Sequence, residues 1–321
     1  MTMIRTETLS PDAPGLARAA QLLAQGRLVA FPTETVYGLG ADARNDRAVA
    51  RIFEAKRRPR FNPLIVHLAD AAAARRIAVF DDDANRLADA FWPGPLTLVL
   101  PLRPDAGISP LVTAGQATIA IRVPAHPVAQ AVLRAFDGPV AAPSANPSGK
   151  ISPTSAAHVL AGLDGRIAAV LDGGTCPVGV ESTIIGCDAH GPVLLRPGGL
   201  PVEAIEPCLG RPIRQRGADA EITAPGQLSS HYAPEAALRL NVTAPAPGEL
   251  WLGFGPDCPG AALNLSPGGD LTEAAASLFH QLRALDEMAT PGQAVAVAPV
   301  PERGLGRAIN DRLRRAAAPR E

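Results

Sequence analysis

Four cations fall within five residues in the stretch Lys56-Arg57-Arg58-Pro-Arg60-Phe-Asn62-Pro63. The spacing puts them at the C-terminal end of a helix, where the macrodipole by itself favours one or two cations. Four of them, followed by a rigid Asn-Pro and a strand ending in His67, also suit an anion clamp. Lysine supplies a point charge and arginine a bidentate fork, and a triphosphate can use both. A second candidate is Phe31-Pro-Thr-Glu-Thr-Val-Tyr-Gly-Leu-Gly-Ala-Asp42, in which a strand runs into a proline and then into Thr33, Glu34, Thr35 and Tyr37. Ligands of α/β proteins gather at strand ends, although a polar loop with a glycine-supported turn reads the same way. The two glycines do not make G-x-G-x-x-G, which removes a dinucleotide reading.

A third stretch, Ala142-Pro-Ser144-Ala-Asn146-Pro-Ser148-Gly-Lys150-Ile-Ser152-Pro-Thr154, follows a strand and leads into a helix. Hydroxyls, an amide and free backbone N–H groups beside a helix N-terminus make a phosphate cradle. Ser152 or Thr154 serves equally well as a plain N-cap, and the P-loop spacing is absent. Arg122 stands inside the apolar strand Thr118-Ile-Ala-Ile-Arg122, so a carboxylate must face it. That carboxylate is either an internal Asp or Glu or belongs to a bound amino acid. Glu181-Ser182-Thr183 and Arg196-Pro-Gly198-Gly199 each end a strand with a polar group or a turn, and are weak signals singly. No Ser-His-Asp order, metal-ligand histidine pair or spaced carboxylate pair stands out. His126, before a proline, reads as a helix entry. Gly304-Leu-Gly306, followed by Asn310-Asp311, reads as a structural turn more readily than as a second nucleotide loop.

These groups need rigid elements to hold them. Apolar periodicity predicts helices near residues 12–25, 46–56, 82–91, 127–136, 153–163, 271–288 and 308–317. Strand-like runs are expected at 28–31, 64–68, 96–100, 118–123, 140–142, 168–171 and 182–185, then at 238–242, 250–254 and 294–300. Several strands lie too close in sequence for right-handed crossovers, which implies a mixed, twisted sheet. Residues 14–200 thus form one α/β domain and 236–321 a small C-terminal one. The proline-rich stretch 201–235 reads as a linker that folds over the site as a lid.

The 321 residues are 47% hydrophobic and 19% charged, a globular composition. Lys+Arg of 30 against Asp+Glu of 31 leaves a net charge of -1, so any RNA contact must be local or weak. Four scattered cysteines argue against a zinc site or disulfide framework and suit a reducing cytoplasm. No apolar run approaches the roughly 18–20 residues that span a bilayer.

Taken together and in order, Phe31–Asp42, Lys56/Arg58, Ser144/Asn146, Glu181-Ser-Thr183 and Arg196-Pro-Gly198 closely resemble the YrdC-like family, whose hallmark is the K-x-R plus S-x-N combination. The resemblance covers about residues 14–200. The segment Pro225-Gly-Gln-Leu-Ser-Ser-His231-Tyr232-Ala-Pro234 and the C-terminal unit, read as Rossmann-like, resemble the two-domain L-threonylcarbamoyladenylate synthases of that family. The resemblance implies a nucleotidyltransferase that joins L-threonine, bicarbonate or CO2 and ATP into L-threonylcarbamoyl-AMP for the t6A modification of tRNA. Lys56, Arg58, Ser144 and Asn146 would form the catalytic set. Thr35, His67, Arg122, Ala142 and Ser182 would contact threonine, with Arg122 on its carboxylate. Arg58, Asn62, Thr118, Ser144, Ser152, Arg196 and Tyr232 would contact ATP. The linker departs from the usual Pro-Gly-Met, which leaves His231 and Tyr232 as alternatives for the nucleotide contact. Mg2+ would ride mainly on phosphate oxygens and water, and a downstream tRNA threonylcarbamoyl transferase would receive the product. Other readings are an RNA-binding module, a nucleotide-binding regulator, and a hydrogenase-maturation carbamoyl-adenylate enzyme. The acylphosphatase-like domain and Cys-rich zinc motifs of the last are not visible in this sequence.

Overall fold

The computed structural model describes residues 5–188, 191–215 and 231–319. Fifteen strands among them form two sheets. The strands of the first are β1 (Glu7–Leu9), β2 (Val29–Phe31), β3 (Gly38–Asp42), β4 (Ile65–His67), β5 (Leu96–Pro101), β6 (Thr118–Arg122), β7 (Val140–Ala141), β8 (Ala169–Leu171), β9 (Thr183–Asp188), β10 (Gly191–Arg196) and β11 (Arg214–Gln215). They run in the order β1-β8-β2-β3-β7-β4-β6-β5-β9-β10-β11. Parallel and antiparallel pairs are mixed along it, as the short connections require. The second sheet, β12-β15-β13-β14, is wholly parallel and comprises β12 (Leu238–Arg239), β13 (Leu250–Gly253), β14 (Leu263–Asn264) and β15 (Val295–Val297). No described helix is long and apolar enough to cross a membrane.

Strand period sorts the large core into two faces. Ala30, Val66, Leu98, Ile121, Ala141 and Val170 point to one face, under helices Asp46–Lys56, Asp82–Phe91, Ala156–Leu163 and Val202–Leu209. Val29, Phe31, Val140, Ala169 and Leu171 point to the other, under Ala13–Ala24 and Pro127–Phe136. Side chains start the helices: Asp12, Asn45 and His126 each accept a hydrogen bond from the first turn that follows.

Two expectations change. The stretch 31–42 is not one loop, because Gly38–Asp42 is a strand antiparallel to β2 and only residues 32–37 connect the two. Nor is 201–235 a linker throughout. Helix Val202–Leu209 buries Val202, Ile205 and Leu209 in the large core, and β11 pairs with β10, so the large unit runs on to residue 215. Proline density hid this helix, since Pro201 precedes it and Pro207 lies inside it. The motif from Pro225 to Ser230 lies outside the described residues.

Candidate active site

Register builds one wall of the site. Arg122 pairs with His67 on one side and Thr97 on the other, and Leu96 pairs with Thr183 beyond them. On the face that carries Phe31, period two then lines up Ile65/His67, Ala120/Arg122, Val99/Thr97 and Ile184/Ser182, with an apolar residue followed by a polar one on each strand. The apolar members pack together, and the polar members stand beside one another. Thr97 and Ser182 share a 2.7 Å hydroxyl hydrogen bond, and the His67 ring meets Phe31 edge-on.

Residues 32–37 bring Thr33, Glu34 and Thr35 against this wall. The Thr33 hydroxyl donates to the Val36 carbonyl at 2.7 Å and lies 2.8 Å from that of Thr35, which pins the turn. Arg122 donates from Nη1 to Thr35 at 2.8 Å and from Nε to the Gly94 carbonyl. Its Nη2 lies 2.6 Å from Glu34 Oε1, both groups being buried, so the internal carboxylate is the one that faces this arginine. Neither of those two atoms has an aligned hydrogen bond among the described residues.

Cations line the opposite side. Helix Asp46–Lys56 ends at Arg57, whose φ of 53° turns the chain so that Lys56 and Arg58 both point inward. Lys56 donates to the carbonyls of Ser144 and Asn146, each at 2.5 Å, and Arg58 to those of Asn62 and Pro63. Among the described residues neither has a carboxylate partner. Burial depresses the Lys56 ammonium pKa well below its usual range, and the Arg58 charge adds to this. Burial also draws Arg58 down to about 10. Arg196 donates to the Ser182 carbonyl at 2.8 Å. The turn after it packs so closely on residues 181–183 that a Cβ on Gly198 would lie 2.4 Å from their backbone. Lys56 and Arg58, whose hydrogen bonds among the described residues go to carbonyls, make an environment that favours an anion.

The resulting cavity encloses about 550 Å³ of empty space, open solvent at its mouth included. Of the residues proposed from sequence, Thr35, Arg58, His67, Arg122, Ala142, Ser144, Ser182, Arg196 and Tyr232 line it together. His231 lines it too, so both linker candidates reach the site. Four others stand behind the lining. Lys56 and Asn146 brace residues 144–150, the latter by donating to the Pro147 and Lys150 carbonyls. Asn62 accepts from Arg58, and Ser152 donates to Glu181 at 2.6 Å. Thr118 is not brought into the cavity. It shares the face of Arg122 but lies four residues, about 13 Å, along β6.

Thr33 and Glu181 also line the cavity and Glu34 stands behind it on Arg122; the sequence marked the stretches that carry them but gave these three no ligand contact. Burial would raise the Glu181 carboxyl pKa, but the charges of Arg312 and Arg196 and the Ser152 hydroxyl bring it to about 2. Burial leaves His67 and His231 neutral, each near 3. Buried polar atoms without a hydrogen-bond partner among the described residues include His67 Nδ1 and His231 Nδ1 of the lining, and both side-chain polar atoms of Asn62. A polar ligand would satisfy such groups.

A buried Arg122–Glu34 pair beside a buried cationic wall, on a mixed sheet with a small parallel-sheet unit attached, is the arrangement of a two-unit α/β protein of the YrdC-like type. The chain belongs to the Sua5/YciO/YrdC family. That family's model, described as telomere recombination, matches residues 21–198, and the model of the C-terminal domain of threonylcarbamoyl-AMP synthase matches residues 200–318. The threonylcarbamoyl-AMP synthase of Bacillus subtilis is 51% identical over 239 residues, 73% of this chain and 69% of that protein. That of Pyrococcus abyssi is 42% identical over 321 residues, 93% of each. The crystal structure of P. abyssi Sua5 complexed with L-threonine superposes with a TM-score of 0.88 at 40% identity, covering 97% of both chains. E. coli YciO, at 23% identity and a TM-score of 0.55 over 61% of this chain, shares the fold.

Proposed function

We propose that this pocket joins L-threonine, bicarbonate (or CO2) and ATP into L-threonylcarbamoyl-AMP, releasing pyrophosphate and, where bicarbonate is used, water, for the t6A modification of tRNA. The observation that carries the reading is the juxtaposition of Arg122 and Thr35 with Arg58, Ser144 and Arg196 in one cavity. Arg122 takes the threonine carboxylate, assisted by Thr35, His67 and Ser182. The threonine amine and bicarbonate give a carbamate and water. A carbamate oxygen then attacks the α-phosphorus, and pyrophosphate leaves with the bonding pair. The carbamate is already anionic, so the step needs no strong protein base. It needs alignment and neutralisation of phosphate charge, which Arg58, Arg196 and Ser144 supply while Lys56 and Asn146 hold the Ser144 loop.

Val36, Ile65, Ala142 and Pro143 supply the apolar part of the lining against which the adenine can rest. Mg2+, when bound with ATP, neutralises phosphate charge. The nearby carboxylates Glu34 and Glu181 are already engaged by Arg122 and Arg312, so phosphate oxygens and water would be its main ligands. His231 and Tyr232 close the pocket on the side of the small unit and hinder water. The product passes to a tRNA threonylcarbamoyl transferase in the cytoplasm, and any direct contact with RNA is weak at this net charge. The test is pyrophosphate release from ATP. Release that requires both L-threonine and bicarbonate is expected, and folded protein without threonine-dependent release would sink the proposal.

A further inference from the structure

One charged residue of the small unit reaches the back of the site. Arg312, on the buried face of helix Gly306–Ala317, is fully buried, whereas Arg314 on the same helix is exposed. Its Nε donates to Glu181 Oε2 at 2.8 Å, and its Nη1 to the Pro197 carbonyl at 2.7 Å and to Asp311 at 2.8 Å. The guanidinium lies 5.5 Å from the Tyr232 ring centroid, and Tyr232 itself adopts a left-handed φ of 62°. Glu181 and Tyr232 both line the pocket, and the other Glu181 oxygen accepts from Ser152. Arg312 therefore touches two lining residues and the turn that follows Arg196.

Packing shows that this contact is not incidental. Val36, Ile151 and Val180 of the large unit share one buried cluster with Leu278, Phe279, Ile309 and Leu313 of the small one. A Cβ on Gly179 (φ 76°) would fall 2.2 Å from the Ala275 carbonyl oxygen, so residues 178–182 lie directly on helix Leu271–Met288. The segment that presents Glu181 and Ser182 is thus held between the small unit and the Gly198 turn.

We propose that Arg312 is a positioning residue for nucleotide binding, which acts by occupying Glu181 so that this carboxylate does not capture Arg196. Arg196 and Arg312 both bear on Glu181 electrostatically, and a buried carboxylate that loses one cation turns to the other. Without Arg312, Arg196 is drawn off the Ser182 carbonyl and away from phosphate. The Arg122–Thr35 side is untouched. The inference rests on the adenylating reading of the pocket, yet it is testable by binding alone.

Calorimetric titration of Arg312→Met with ATP and, separately, with L-threonine provides the test. ATP affinity should fall about tenfold or more, equivalent to roughly 1.4 kcal/mol, while threonine affinity stays within about twofold. Adding Glu181→Gln removes the stranded charge, so Arg312→Met/Glu181→Gln should bind ATP more tightly than Arg312→Met. Arg314→Gln, on the exposed side of the same helix, should match the wild type in both titrations. Unchanged ATP affinity in Arg312→Met, equal loss of both ligands, or no recovery in the double variant would each overturn the proposal. Wild-type protein that binds ATP but releases no pyrophosphate with threonine would refute the reaction and leave the Arg312 comparison decisive.

Discussion

Replacing Arg122 by methionine separates what this arginine does for the fold from what it does for the ligand. In the folded chain it is 3% exposed and meets Glu34 at 2.6 Å, Thr35 at 2.8 Å and the Gly94 carbonyl at 3.2 Å. Its removal strands the Glu34 carboxylate, which is 7% exposed and otherwise held by the Ala125 N–H. Breaking a buried ion pair from one side costs about 3–5 kcal/mol, and the orphaned Gly94 carbonyl adds about 1 kcal/mol. Arg122→Met should therefore lose about 4–6 kcal/mol by urea denaturation at pH 7. The double variant Arg122→Met/Glu34→Gln carries no stranded charge and should recover to within about 2 kcal/mol of the wild type. Threonine binding follows a different rule, because its carboxylate needs the guanidinium itself. Calorimetry should detect no threonine binding in either variant, at concentrations that saturate the wild type. Equal stability of the single variant and the wild type would refute the ion-pair argument. Threonine binding by the double variant would refute Arg122 as the carboxylate anchor.

Lys56→Met removes two charge-assisted hydrogen bonds of about 1.5–3 kcal/mol each, but it also relieves the burial of an unpaired ammonium, worth several kcal/mol. Thermal melting should thus change little, while ATP affinity falls about tenfold as residues 144–150 lose their brace; unchanged ATP affinity would place the phosphates elsewhere. Stability should also fall with acid. The unfolded chain protonates His67 and His231 near pH 6.5, whereas the folded chain, with both near 3, does not, so each costs about 2 kcal/mol by pH 5. Glu181, lowered to about 2, adds its loss only below about pH 4.5. Urea denaturation at pH 7 and pH 5 should show the histidine loss, smaller by about 2 kcal/mol in His67→Gln, and equal stability at the two pH values would contradict it.

Much of this site was legible in one dimension because its chemistry is carried by short stretches at strand and helix ends. The clamp at 56–62, the loop 32–37 and the segment 142–154 each combine unusual residue types with turn formers, and local spacing suffices to mark them. Arg122 announced itself by sitting in an apolar strand, and the demand for a carboxylate followed from burial alone. The sequence left open which carboxylate answers it. Only tertiary structure brings Glu34 to 2.6 Å, since the two residues are 88 positions apart and meet across the sheet. The division between lining and bracing residues was equally hidden. Lys56 and Arg58 look alike in sequence, but the left-handed turn at Arg57 gives one to backbone carbonyls of the 144–146 loop and the other to the cavity. Arg312 had no local signal at all, because a buried arginine and a solvated one have the same neighbours along a basic helix. Local spacing therefore determined which segments carry charge and turns, while long-range register and the docking of the small unit decided which of those charges face a ligand and which face one another.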